Sequence, residues 1–209
     1  MIIRVVEKAI KANIGEVIVA SGDIEIDEIV KKYGYNSILT DPDLPSGSDR
    51  VYEAFKNLGK NYKYIINLQG DLPLISEQII LAIYKKFKES DADIATAASK
   101  IHVEEEANNP NNVKVIMNDK GKALYFTRAK APWGNGDLWH HIGIYGYKQK
   151  ALERFVNLPL SNLELREKLE QLRALENDMN ISVTIVEDFP LGVDTEEDLA
   201  KVRKLVIGG

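Results

Sequence analysis

Short apolar runs and helix-periodic segments take turns along the first hundred residues, and this alternation restricts the fold more than any other feature of the chain. "EVIVA" (16–20), "NSILT" (36–40), "KYIINLQ" (63–69) and "DIATAAS" (93–99) have the length and residue types of buried strands. Between them lie "IDEIVKKYG" (26–34), "SDRVYEAFKNLG" (48–59) and "SEQIILAIYKKFKES" (76–90), apolar at helical spacing, the first two closed by glycine. Ile2, Val5, Val6 and Ile10 place one more helix ahead of Gly15. Strands alternating with helices predict an α/β fold with a doubly wound, mostly parallel sheet.

The pattern changes after the polar "VEEEANNPNN" (103–112). "VKVIMND-KGK-ALYFTRA" has a turn between two β-rich runs and reads as a hairpin. One domain over residues 1–209 is expected, with a small β-rich subdomain at about 100–150. "HHIGIYGYK" (140–148) is a further strand. Helices at 149–156 and 162–176, the strand "ISVTIV" (181–186) and a last helix from Thr195 complete the chain.

Composition narrows the function. The 209 residues contain no cysteine, which excludes disulfides, thiolate zinc sites and cysteine nucleophiles and suits a reducing compartment. A formal net charge of −5 gives no basic footprint for nucleic acid or anionic lipid. No apolar run approaches a membrane span, and "MIIRVVEKAIKANIG" carries charge inside its apolar stretch, unlike a signal peptide. The expected class is a soluble, cytoplasmic protein with small-molecule or protein partners.

Two carboxylates follow an apolar strand and a glycine: Asp71 in "NLQGDLP" and Asp194 in "LGVDTEEDL", where Thr195 serves as helix N-cap. Such residues satisfy backbone donors at a turn, or they bind. At the carboxyl edge of an α/β sheet, hard oxygen ligands without thiol or histidine clusters suit magnesium carried on a phosphate. Ser46 and Gly47 in "LPSGSDRV" open a helix, either as an ordinary cap or as an anion-binding N-terminus, with Arg50 one turn inside. In "HHIGIYGYK" alternation puts His141, Gly143, Tyr145 and Tyr147 on one face, a polar and aromatic wall suited to a sugar. In "LELREKLEQLRALE" Leu165, Leu169 and Leu172 form the buried stripe, beside a ladder of Arg166, Glu170 and Arg173.

Taken in order, "LPSGSDRV", "NLQGDLP", "NNVKVIMNDKGKALYFTRAKAPW", "HHIGIYGY", "LEQLRALE" and "GVDTEEDL" resemble the 3-deoxy-manno-octulosonate (Kdo) cytidylyltransferases over nearly the whole chain. The resemblance implies a homodimeric nucleotidyltransferase that uses magnesium to convert CTP and Kdo into CMP-Kdo and pyrophosphate, for lipopolysaccharide synthesis. It further implies Asp71 and Asp194 as metal ligands, and Ser46, Gly47 and Arg50 as part of the cytidine pocket. Gln69, Arg128, His141, Tyr145, Glu170, Gln171 and Arg173 fall to the Kdo side, with Arg128 and Arg173 as cations for the sugar carboxylate. Two alternatives stand beside it: a cytidylyltransferase for another acidic sugar such as acylneuraminate, and a non-catalytic module that binds nucleotide sugars.

Four features depart from the family pattern. The chain starts at what resembles the helix after the triphosphate-gripping loop, so that loop is expected to be missing from this sequence. Gly22 stands where an aspartate is usual, and Leu72 replaces an acidic residue after Asp71. "APWGNGDLW" is short and lacks a second arginine.

Overall fold

Helical spacing puts Ile2 and Val6 on one side of the first helix, and Val6 forms a small core with Val19 and Val30, closed over by Ile2, Ile3, Val17 and Tyr35. A computed structural model describes residues 1–187, 189–193 and 195–207, the last without its side chain. In chain order the elements are α1 (Ile2–Ala12), β1 (Val19–Ser21), α2 (Ile24–Lys32), β2 (Ser37–Leu39), α3 (Gly47–Leu58), β3 (Tyr64–Leu68), α4 (Glu77–Glu89) and β4 (Ile94–Lys100). They continue with α5 (Glu104–Asn108), β5 (Lys114–Met117), β6 (Ala123–Thr127), β7 (Trp139–Lys148), α6 (Gln149–Val156), α7 (Asn162–Glu167), α8 (Gln171–Glu176), β8 (Ile181–Val186) and α9 (Glu196–Ile207). Among the described residues no helix is long and apolar enough to cross a membrane.

The chain divides into two compact units. The first holds residues 1–61, 68–81 and 190–209; the second holds 62–67 and 82–189, which is more of the chain than the expected β-rich stretch. In the first unit β1 and β2 pair in parallel, Val19 opposite Ser37. "EVIVA" contributes only its last two residues to β1. Asn13, in the left-handed region at φ 49°, ends α1 before Gly15 is reached, and Ile10 is exposed instead of joining the apolar face.

The second unit is built on a sheet in the order β6-β5-β7-β4-β8, with β3 also paired to β7. The sheet is mixed: β8 runs parallel to β4, whereas β7 runs antiparallel to β4 and β5, and β5 and β6 form the expected hairpin. An apolar run has the same composition in either direction, so the alternation predicted the layers and not this reversal. At Gly146 in β7 an added Cβ would lie 2.8 Å from Ile83 Cγ2 and would overlap Phe87, so glycine is what lets α4 pack against the strand. Phe87 in turn stacks on Tyr64 of β3, with ring centroids 4.7 Å apart.

The single helix expected over 162–176 is two. Lys168 takes a left-handed conformation (φ 56°) that separates α7 from α8. The turn exposes Leu165 while Leu169 and Leu172 stay buried, and it changes the partner of Arg173.

Candidate active site

The residues expected to handle nucleotide and metal belong to the first unit. Ser46 is the N-cap of α3: its Oγ accepts from the Asp49 amide at 3.2 Å and donates to Asp49 Oδ2 at 2.6 Å, while Gly47 is the first helical residue. Arg50 turns away from Asp49 and ties down the preceding loop. Its Nη1 donates to Thr40 Oγ1 at 2.8 Å and to the Asp41 carbonyl at 3.0 Å, and Nη2 donates to the Pro42 carbonyl at 3.2 Å. This arrangement also accounts for Gly22. A Cβ there would overlap the Arg50 guanidinium and lie 2.9 Å from Pro42 Cα.

Asp71 lies in the turn that follows β3, half-buried, and its carbonyl accepts from the Val193 amide at 3.0 Å. Leu72 beside it is buried, with its side chain 3.7 Å from where a Cβ on Gly192 would stand, so an apolar residue suits the position. The segment leading to α9 is thus docked on the Asp71 turn. Thr195 caps α9 as expected, accepting from the Asp198 amide at 3.2 Å and donating to Asp198 Oδ2 at 2.8 Å. Asp194, the second expected ligand, lies outside the described residues. Gln69 belongs to the same turn, where its carbonyl faces the Leu72 amide at 3.5 Å.

The remaining sugar-side candidates all belong to the second unit. His141 and Tyr145 share one face of β7 but form no bare wall, being 6% and 5% exposed. They belong to a file of rings in which Phe126 meets His141 edge-on at 4.9 Å, His141 lies 5.4 Å from Tyr145, and Tyr145 continues to Tyr147 and Phe155. Burial, with neighbouring His140 adding to it, lowers the His141 pKa to about 3, so the ring is neutral at pH 7. Burial also raises the Tyr145 pKa well above its usual value, reinforced by the Glu170 charge, which keeps the phenol protonated.

The file ends on Arg173, whose guanidinium carbon lies 4.8 Å from the centre of the Phe155 ring. The expected ladder with Arg166 and Glu170 is replaced by a buried pair with Glu164: Nε donates to Oε2 at 2.8 Å and Nη2 to Oε1 at 2.5 Å. The reason is the break at Lys168, which folds α8 back toward the start of α7. Gln171, also buried, opens α8, and the half-buried Glu170 is its N-cap.

Arg128 is held differently. Three carbonyls accept from its guanidinium, those of Glu167 (2.9 Å), Pro110 (3.0 Å) and Lys168 (3.4 Å). Among the described residues no carboxylate forms an ion pair with it. The guanidinium is thus fixed by carbonyls, while the Glu167 carboxylate accepts from the Arg128 amide at 3.0 Å. Sequence reasoning missed the residue behind it: Lys114, wholly buried, donates to the carbonyls of Asn109 (3.0 Å), Asn112 (2.6 Å) and Arg128 (2.7 Å). A lysine between two valines on a short strand was the only sign.

Residues 1–181 match the cytidylyltransferase family. The 3-deoxy-manno-octulosonate cytidylyltransferase of Parvibaculum lavamentivorans is 51% identical to the chain over 209 aligned residues, covering 97% of this chain and 81% of the relative. The chain belongs to the 3-deoxy-manno-octulosonate cytidylyltransferase family. Proteins of the same name from Rhodopseudomonas palustris and Bartonella henselae are 52% and 50% identical, covering 100% and 99% of this cytidylyltransferase and 87% of each relative. Among solved structures, CMP:2-keto-3-deoxy-manno-octonic acid synthetase complexed with CTP aligns at a TM-score of 0.94 and 34% identity, over 99% of this chain and 87% of that one. The 4-diphosphocytidyl-2C-methyl-D-erythritol synthase of Anaerococcus prevotii, at 13% identity and a TM-score of 0.61, shares the fold. The α/β nucleotidyltransferase-like fold read from the sequence is the fold of this cytidylyltransferase.

The donor chemistry of the first unit bears on the metal. Among the described residues no three His, Asp or Glu side chains gather, and the sequence has no cysteine. A metal bound at Asp71 would therefore rest on one or two carboxylates and on phosphate and water oxygens, a donor set that fits magnesium.

Proposed function

We infer that this cytidylyltransferase transfers CMP from CTP to Kdo, releasing pyrophosphate and supplying activated sugar for lipopolysaccharide synthesis. The observation that carries the reading is the alignment, at a TM-score of 0.94 over 99% of the chain, with a synthetase of that specificity solved with CTP. In this mechanism the anomeric hydroxyl of Kdo attacks the α-phosphorus in line, pyrophosphate leaves, and no covalent enzyme intermediate forms.

Each unit has its part. The α3 N-terminus, with amides at Gly47 and Ser48, faces the nucleotide, and Arg50 keeps the 40–42 loop in place behind it. Asp71, together with Asp194, would hold magnesium. Magnesium held there would supply charge neutralisation for the phosphoryl transfer. Arg128 meets the sugar carboxylate, while neutral His141, protonated Tyr145 and the amide of Gln171 supply hydrogen-bond partners for its hydroxyls. Arg173, committed to Glu164, contributes to the sugar side by fixing α8 beneath Gln171. Family membership supports a cytoplasmic homodimer as the working form.

The buried hydrogen-bonding groups of β7 make the sugar test decisive against acylneuraminate. Each buried donor or acceptor left unpaired by a mismatched sugar costs about 1–3 kcal/mol, so two mismatches reject it strongly. With CTP and both sugars in competition, CMP-Kdo is the expected product, with little or no CMP-N-acetylneuraminate. His141→Ala is expected to weaken Kdo use while CTP affinity stays near wild type. Equal use of the two sugars would remove Kdo specificity from the account, and collapse of CTP affinity in His141→Ala would move His141 out of the sugar pocket.

A further inference from the structure

A register shift in β7 singles out one side chain that no candidate list contained. Thr96 of β4 stands opposite Tyr145, yet the next residue, Ala97, stands opposite Ile142, so Gly143 and Ile144 are extra on the β7 side. Thr96 is wholly buried against this bulge. Its Oγ1 lies 2.8 Å from the Ile144 carbonyl, 3.3 Å from the Ile142 carbonyl and 2.9 Å from His141 Nε2.

One hydroxyl proton has to serve three neighbours, and electrostatics decides where it goes. Carbonyls only accept, and two oxygens 2.8 Å apart with no proton between them repel. The Thr96 hydroxyl therefore donates to the Ile144 carbonyl, and its lone pair faces the ring. The ring nitrogen must then be the donor. We propose that Thr96 is a positioning residue for sugar recognition: it holds His141 as the Nε2–H tautomer and fixes the ring, leaving Nδ1 as the nitrogen that accepts a hydrogen bond from a sugar hydroxyl.

Two further observations agree with this assignment. Burial keeps the ring uncharged at pH 7, so a single tautomer has meaning there. The Phe126 ring meets the imidazole edge-on at 4.9 Å, so an aromatic surface packs against the ring beside its contact with Thr96. The proposal rests on His141 contacting the sugar, as the proposed function has it.

The test combines nitrogen-15 NMR of the histidine side chains with kinetics of Thr96→Val, Thr96→Ser and His141→Ala. The protein has three histidines, and loss of one set of signals in His141→Ala assigns the ring. Wild type and Thr96→Ser are expected to show Nε2 protonated and Nδ1 bare at pH 7. Thr96→Val, lacking the hydroxyl, is expected to lose the single tautomer and to raise the KM for Kdo about tenfold with the KM for CTP unchanged, Thr96→Ser restoring it. An Nδ1–H ring in the wild type overturns the proposal even if Thr96→Val fails to fold. A wild-type KM for Kdo in Thr96→Val, with His141→Ala impaired, overturns the positioning role alone. Normal Kdo use by His141→Ala overturns the sugar contact itself.

Discussion

Asp71→Asn is expected to fold normally and to lose at least roughly a hundredfold in kcat, since under the proposed function it would remove a hard anionic ligand worth several kcal/mol of transition-state stabilisation. The structure explains why the two effects separate. Asp71 is held in its turn by its carbonyl, which accepts from Val193, and this bond survives the substitution. The variant should therefore unfold at the wild-type urea midpoint while pyrophosphate release falls. Asp194→Asn should behave alike. Wild-type pyrophosphate release by Asp71→Asn at saturating magnesium would remove the metal role from this residue.

The second large effect is on stability. Glu164 and Arg173 are both buried and joined by two hydrogen bonds, so removing either partner strips a buried charge of its bidentate partner. Glu164→Ala and Arg173→Ala should each cost about 3–5 kcal/mol. Glu164 also accepts from the Ser161 amide at 3.1 Å, so its loss frees the start of α7 as well. The double variant Glu164→Met/Arg173→Leu should recover much of the loss, because an apolar pair of similar volume avoids the desolvation of both charges. Urea unfolding measures all three. A cost below about 1 kcal/mol for both single variants would mean that the pair is screened like a surface ion pair.

The layers of the fold were legible in the sequence because burial leaves a period. The β5–β6 hairpin, the helix over residues 149–156 and the cap at Thr195 appear where turn residues, spacing and cap chemistry put them. Direction and interruption left no such trace. Nothing in "HHIGIYGYK" encodes that β7 runs antiparallel to β4, and nothing in "LREKLEQ" marks Lys168 as the break, since neither glycine nor proline is present. The left-handed backbone of Lys168 makes the break, and it brings Arg173 back to Glu164. A signal for part of it was there: Ser161 followed three residues later by Glu164 is a helix-start pattern, and it fixes where Glu164 stands.

The candidate site divides in the same way. Motifs led to Asp71, Arg128, His141 and Tyr145, and the structure sets Asp71 in a docked turn, Arg128 in a carbonyl cradle, and His141 and Tyr145 together in a buried file of rings. Arg173 looked interchangeable with Arg128 in the sequence as a cation for the sugar carboxylate. Only packing distinguishes them, because Arg173 is paired with Glu164, whereas carbonyls hold the guanidinium of Arg128. Thr96 and Lys114 were illegible for a related reason. Each acts through buried bonds to carbonyls, which the backbone offers at every position whatever the side chain.

Transfer of CMP to Kdo is tested most directly by incubating the protein with CTP, magnesium and Kdo and following products by phosphorus NMR and mass spectrometry. CMP-Kdo and pyrophosphate are expected in equal amounts, formed only when CTP and Kdo are both present. Pyrophosphate release that does not depend on Kdo, or no CMP-Kdo from a folded protein that binds CTP, would contradict this transfer.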